Sequence, residues 1–120
     1  MIKILLVLAI CCAATIVLEG IPILFLKSKK AWWKASILCN VVTNPLLNVI
    51  VLFLPVVLDD YLLIAWLVMA LEVVVVFFET WFYQLMLEKS CKKCFLFSLI
   101  ANGFSFVVGS VLNILMLIPW

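Results

Sequence analysis

The chain has 120 residues, of which 70% are hydrophobic and 12% are charged, and its formal net charge is +2. A soluble domain carries about 25% charged residues, so this composition excludes a soluble protein and predicts an all-α integral membrane protein. The sequence has no histidine and no arginine, which excludes histidine metal ligation and guanidinium recognition of phosphate. The lysines lie between apolar runs and follow from membrane topology, so no nucleic-acid partner is indicated.

Four apolar runs occupy almost the whole chain. Each bilayer-spanning helix needs about 20 apolar residues, and the predicted spans are residues 4–26, 33–58, 61–87 and 94–119. Residues 1–120 are therefore predicted to form a single domain, a four-transmembrane-helix bundle with short loops. The first run continues to Leu26, and bulky Ile10 precedes Cys11 where a lipoprotein cleavage site has a small residue. This favours a first transmembrane helix over a signal peptide.

The first predicted helix carries a glutamate, Glu19, on the same face as Cys12 and Thr15. A charged side chain at the centre of a spanning helix costs about 2.5 to 3.5 kcal/mol on insertion scales. The position therefore indicates a partner, a cavity or a functional role. Pro22 follows within the same run and predicts a kink below the glutamate.

The second predicted helix has a polar stripe. Asn40, Asn44 and Asn48 recur at every fourth position, and Ser36 and Thr43 fall on the same face at the helical period. The remaining faces of this helix are apolar, so the stripe is predicted to point away from lipid.

The third and fourth predicted helices also carry polar positions. Glu72 and Glu79 lie two turns apart on one line of the third helix, together with Tyr83. In the fourth helix, Asn102 and Ser105 lie in a seam of small residues that lets a neighbouring helix approach closely.

The depth of these groups predicts one common polar layer. At 1.5 Å per residue, all four helices place a polar group about 10 to 12 Å from the lysine-rich ends. This first level holds Glu19, Asn40, Glu79 and Asn102, and a second level deeper in the membrane holds Asn44, Glu72 and Ser105. We take these seven residues as the candidate binding residues for a cation, a proton or a substrate.

Carboxylate, amide and hydroxyl oxygens favour hard cations such as Na⁺, Mg²⁺, Ca²⁺ or Mn²⁺. Because no lysine lies within a predicted span, a proton, a bound cation or a partner chain must neutralise the glutamates. The alternative for the amides and hydroxyls is structural, since such groups hold transmembrane helices together by hydrogen bonds worth about 0.6 to 2 kcal/mol.

Two functions follow from these residues. The first is a small polytopic transport protein or channel component that binds a cation or protonated solute at the Glu/Asn layer. The second is a non-catalytic membrane subunit or assembly factor whose polar residues pair with a larger membrane partner. They differ in whether the polar stripe points into the chain's own bundle or outward. Enzyme motifs, such as a glycine-rich phosphate loop or a Ser/His pair, are not found, so no catalytic activity is expected.

The lysines predict the orientation. Seven of them fall in the first and third loops, and the positive-inside rule places those loops in the cytoplasm and both termini outside. The expected location is a prokaryotic cytoplasmic (inner) membrane. The expected partners are the lipid bilayer and either further copies of the chain or a larger membrane complex, because four short helices enclose little space.

Aromatic and cysteine residues near the loops give weaker expectations. Five aromatic residues lie near predicted interfaces and are expected to anchor the helices at the headgroups; they are Trp32, Trp33, Trp81, Tyr83 and Trp120. Cys91 and Cys94 form a CxxC motif, for which metal or redox chemistry is the less favoured interpretation because one pair cannot complete a tetrahedral zinc site.

Overall fold

A computed structural model describes residues 2–117, except for the side chains of Ile2, Ile4, Val7 and residues 112–117. This part of the chain forms four helices: α1 (Ile2–Ile23), α2 (Lys29–Val57), α3 (Tyr61–Leu87) and α4 (Cys91–Leu117). The prediction of four helices joined by short loops is confirmed, with ends that differ by a few residues. The predicted end of the fourth span at Pro119 lies outside the described residues.

Among the described residues, three helices are long and apolar enough to cross a membrane by length and composition. They are α2, α3 and the Cys91–Val111 part of α4, whereas the corresponding apolar stretch of α1, Leu8–Ile23, is shorter. The longest dimension of the molecule is 43 Å, close to the 40–45 Å of a bilayer with its headgroups. Large apolar side chains such as Phe25 and Val56 are exposed on the outer faces, which suits lipid contact.

Local interactions and backbone conformations explain where the helices begin and end. Asp60 caps α3, since its carboxylate accepts hydrogen bonds from the amides of Leu62 at 2.9 Å and Leu63 at 3.2 Å. Glu88 ends α3 in the left-handed conformation, with φ 51°. Pro22 lies one residue before the end of α1, so it contributes to terminating the helix rather than kinking a continuing span as predicted.

The helices form a closed ring of four neighbours. Within the described residues, α1 packs against α2 and α4, and α3 packs against the same two helices. Successive helices run in opposite directions, so the two lysine-containing loops lie at one end of the bundle and the α2–α3 turn with Asp59 lies at the other. We call these the lysine end and the aspartate end.

Three aromatic rings fill the interior near the lysine end. The centroid of the Trp32 ring lies 4.5 Å from that of Phe97 and 5.7 Å from that of Tyr83, and the last two are 5.4 Å apart. All three side chains are buried together with Ile23 and Cys94. We call these five residues the aromatic plug. Their tilted and edge-on contacts favour dense packing.

The plug corrects the anchoring role expected for two of the five aromatic residues. Trp32 and Tyr83 are not headgroup anchors, because their rings turn inward and fill the space between the four helices. Trp81 is exposed and Trp33 half-buried, while Trp120 lies outside the described residues. The two cysteines of the CxxC motif lie in different environments: Cys94 is fully buried in the plug, whereas Cys91 is exposed.

Candidate functional site

The hairpin of α1 and α2 buries the first carboxyl group. Glu19 is only 1% exposed, and the Asn40 side-chain amide donates a hydrogen bond to its Oε2. The same amide nitrogen also donates to the carbonyl oxygen of Ser36, at 3.1 Å. The Oε1 atom of Glu19 is buried and has no hydrogen-bond partner.

The hairpin of α3 and α4 buries a second carboxyl group in a similar way. Glu79 is 0% exposed, and its Oε2 accepts hydrogen bonds from the Asn102 amide and, at 2.8 Å, from the Ser98 hydroxyl. The Asn102 amide also donates to the carbonyl oxygen of Ser98 at 3.0 Å. As in the first hairpin, Oε1 of the glutamate is buried without a partner.

These two carboxyl groups have no cationic side chain to neutralise them. Every lysine is exposed, whereas both glutamates are sealed inside the bundle. A buried polar atom without a hydrogen bond costs about 1 to 3 kcal/mol, and more when it is charged. The two bare oxygens therefore mark places where a proton, a water or a cation would lower the free energy.

A polar cavity lies next to this level, on the side toward the aspartate end. It is partly open, with a volume of ≈ 130 Å³, and reaches from the level of Glu19 and Asn40 to those of Asn48 and Glu72. Of the seven predicted site residues, six line it. The full lining is Thr15, Glu19, Asn40, Thr43, Asn44, Leu47, Asn48, Glu72, Val75, Asn102, Ser105 and Phe106.

The seventh predicted residue, Glu79, is not part of the cavity wall. It lies behind Asn102, whose amide connects it to the cavity by one hydrogen bond. The structure thus brings Glu19 and Glu72 to the cavity directly and leaves Glu79 in contact with it only through Asn102.

The hydrogen bonds around the cavity leave free acceptors on four of its side chains. The hydroxyls of Thr43 and Ser105 donate to backbone carbonyls of their own helices, both at 3.0 Å, so their lone pairs remain available. The amide nitrogens of Asn40 and Asn102 are occupied by the glutamates and serines, so their Oδ1 atoms remain as acceptors. Such a lining suits a cation or a solute rich in donors.

The composition of the wall limits how a metal ion would bind. Among the described side chains, no group of three or more His, Cys, Asp or Glu residues is arranged to hold a metal ion. Only Glu19 and Glu72 offer carboxylates to the cavity. A cation here would take the rest of its ligands from amide oxygens, hydroxyls and water, as Mg²⁺ and Ca²⁺ commonly do.

The aromatic plug closes the other side of the polar level. Ile23 and Tyr83 each lie one turn closer to the lysine end than the glutamate of their own helix, and both are fully buried. The cavity extends only in the opposite direction. The polar groups thus lie on the aspartate side of the plug, in a cavity whose described lining extends away from it.

The seven candidate residues chosen from the sequence leave out several members of this site. Ser36 and Ser98 stand four residues before Asn40 and Asn102 and fix the amides of these asparagines through their carbonyl oxygens. The repeated Ser and Asn spacing was a signal for them. Thr15 and Thr43 line the cavity and were recognisable from their positions on the polar faces of α1 and α2.

No protein-family model matches this chain, and no curated protein or solved structure is similar to it. Function is therefore argued from the geometry of the site.

Proposed function

We propose that this protein is a small membrane transport component that binds a hard cation or a protonated solute in the polar cavity between its four helices. The observation that carries the proposal is the pair of buried glutamates beside a cavity lined by oxygen acceptors, all within one chain. Ionisable groups at this depth are costly, and a ligand that neutralises them offsets the cost.

The groups that neutralise the glutamates determine which ions the protein would exchange. With no ligand bound, protons on the glutamates keep the interior uncharged, and a cation that enters the cavity takes their place. Since the lysines remain at the surface, no side chain competes with the cation for the carboxylates. The protein would then exchange cations for protons, with Na⁺, Mg²⁺, Ca²⁺ and Mn²⁺ as the candidate ions.

One-sided access supports a transporter over an open channel. The cavity extends from the glutamate level toward the aspartate end, and the aromatic plug blocks the lysine end. A carrier alternates between states open to either side, with its site near the middle of the membrane. The arrangement fits one such state, with the cavity on the aspartate side of the plug.

The membrane placement is part of the proposal. All four helices span, the lysine end faces the cytoplasm, and both termini lie outside in a prokaryotic cytoplasmic membrane. On this topology the pocket faces outward. The cavity is built by a single chain, so further copies or a larger partner would serve assembly or passage rather than complete the site.

The alternative, a non-catalytic subunit that pairs its polar residues with a partner's helices, requires those residues to face outward. Glu19, Glu79 and Asn40 are at most 1% exposed, so a partner helix cannot reach them without opening the bundle. This supports the transport function over the subunit function.

The test is a thermal-unfolding series on purified protein with a panel of mono- and divalent cations. A ligand that binds only the native state stabilises it by about 2.7 kcal/mol at one hundred times its dissociation constant. We expect a cation-specific rise in Tm for the wild type that is lost in Glu19→Gln and reduced in Glu72→Gln. The matched control is Glu88→Gln, which removes an exposed glutamate outside the cavity and should keep the full response.

A flat response to every cation would overturn the proposed cation site. If Glu19→Gln were also more stable than wild type, the carboxylate would be an unpaired group awaiting a partner, and the subunit function would replace the transport function.

A further inference from the structure

The two helical hairpins are built alike. In each, a Lys-Ser pair precedes the second helix, at Lys27-Ser28 and at Lys89-Ser90. The serine and asparagine of the second helix are four residues apart in both. The glutamate and its asparagine are 21 residues apart in the first hairpin and 23 in the second.

The asparagine contacts repeat as well as the residues, whereas the bond from the Ser98 hydroxyl to Glu79 has no described counterpart from Ser36 to Glu19. In each hairpin the asparagine amide donates to Oε2 of the glutamate on the preceding helix and to the serine carbonyl oxygen, and Oε1 of that glutamate is left buried and bare. The ring order of the helices places hairpin α1–α2 opposite hairpin α3–α4. The two halves are thus related by an approximate twofold axis along the bundle, the arrangement of parallel repeats in transporters.

The bonding of each carboxyl group fits a neutral acid. In a protonated carboxyl, one oxygen is a carbonyl-type acceptor and the other carries the proton. All described hydrogen bonds to Glu19 and Glu79 reach Oε2, while Oε1 receives none. Oε1 is therefore the atom left for the proton in both hairpins.

We propose that Glu19 and Glu79 are two equivalent proton-binding groups, one in each hairpin, and that the ligand-free protein holds one proton on each. This inference rests on the proposed function for its consequence. When one divalent cation enters the cavity, Glu19 in its wall and Glu79 behind Asn102 each change from COOH to carboxylate and together release two protons to water, so the charge inside the bundle is unchanged.

Glu72 has no equivalent in the first hairpin, where Cys12 occupies the matching position two turns before Glu19. It is half-buried and lines the cavity, so it serves as a cation ligand rather than a member of the pair. The groups that face the two carboxyls from the packed helices are titratable only at alkaline pH or acidic themselves, and none is a lysine. They are Cys12 on α1, Cys39 on α2, and Glu72 and Tyr83 on α3.

The test counts protonated glutamates without using a cation. The full chain, with glutamate labelled with ¹³C at the carboxyl carbon, is placed in lipid nanodiscs, and the infrared C=O band of neutral acids is measured at neutral pH. The Glu72→Gln protein retains Glu19, Glu79 and exposed Glu88. In the Glu72→Gln protein we expect two protonated glutamates. Adding either Glu19→Gln or Glu79→Gln should leave one, and adding both substitutions should leave none. Glu88→Gln should change nothing.

Fewer than two protonated glutamates in the Glu72→Gln protein overturns the inference, and this count needs no further variant to fold. If the number of protonated glutamates falls in only one of the two single variants, Glu19 and Glu79 are not equivalent. The cation-dependent Tm series is a separate readout. Two protonated glutamates with no cation response would leave this inference standing and remove the proposed cation site. A cation response with one or no protonated glutamate would overturn this inference, together with the exchange of two protons, and leave the cation site standing.

Discussion

At the scale of single residues, the difference between a site residue and a helix contact lies in what each amide touches. Asn102 donates across helices to Glu79 and also lines the cavity. Asn48 lines the same cavity, but its amide donates only to Asn44 of its own helix, at 2.9 Å to the carbonyl oxygen. The two asparagines therefore offer a matched pair for substitution.

We expect Asn102→Leu to lower the free energy of unfolding by about 1 to 3 kcal/mol, because Glu79 loses a donor and remains buried. It should also remove the cation response. Asn48→Leu should cost less than about 1 kcal/mol, since hydrogen bonds in membrane proteins average about 0.6 kcal/mol and no buried carboxyl loses its partner. Thermal unfolding of both variants measures the difference. Equal losses would mean that Asn102 acts only as a helix contact.

At the scale of helices, α1 and α2 are held at close distance by Gly20 and Trp33. A methyl group added at Gly20 would overlap the indole ring of Trp33, whereas one at Gly103 would meet no atom within 4 Å. Both glycines lie within helices. The first is therefore a packing requirement, and the second is not.

We expect Gly20→Ala to destabilise the protein by about 1 to 3 kcal/mol, because Trp33 must move and the α1–α2 contact that positions Glu19 against Asn40 is strained. Gly103→Ala should be neutral or stabilising, since alanine favours a helix over glycine by about 1 kcal/mol. Comparing the Tm values of the two variants checks this, and a Gly20→Ala protein as stable as Gly103→Ala would show that the ring moves at no cost.

Helix periodicity predicted much of the site from the sequence. The polar face predicted for α2 is the buried one, with Ser36, Asn40, Thr43 and Asn44 all inside. Counting residues from the helix ends placed Glu19 at the depth of Asn40 and Glu79 at the depth of Asn102. These are the pairs that form hydrogen bonds. Periodicity gives a direction and a depth for each side chain, and these sufficed because the loops are short and adjacent helices must pair.

What periodicity could not give is the relation between helices that are not adjacent in the chain. The cavity takes Glu72 from α3 and leaves Glu79 behind Asn102, although both glutamates lie on one line of the helix. That distinction depends on depth, because Asn102 of α4 stands between Glu79 and the cavity, whereas Glu72 lies two turns further toward the aspartate end. The inward turn of Trp32 and Tyr83 was missed for a similar reason, since amphipathic rings near a loop suit the headgroup level and the interior equally well.

At the scale of the whole molecule, the proposed direction of access depends on which end of the bundle faces the cytoplasm. Two exposed positions mark the ends: Cys91 at the lysine end and Asp59 at the aspartate end. The positive-inside rule concerns short loops such as these and acts during insertion. Seven lysines at one end and Lys3 alone at the other predict a single orientation.

We expect a membrane-impermeant maleimide to label Asp59→Cys on intact cells and to label Cys91 only after the membrane is permeabilised. The first variant lacks all native cysteines, and the second keeps Cys91 and replaces the others, which are Cys11, Cys12, Cys39 and Cys94. Labelling of Cys91 alone on intact cells would reverse the topology and make the cavity a cytoplasmic pocket. Labelling of both on intact cells would mean that the chain inserts in two orientations, in which case the pocket would open to both sides of the membrane in different copies and the lysines would not set its direction.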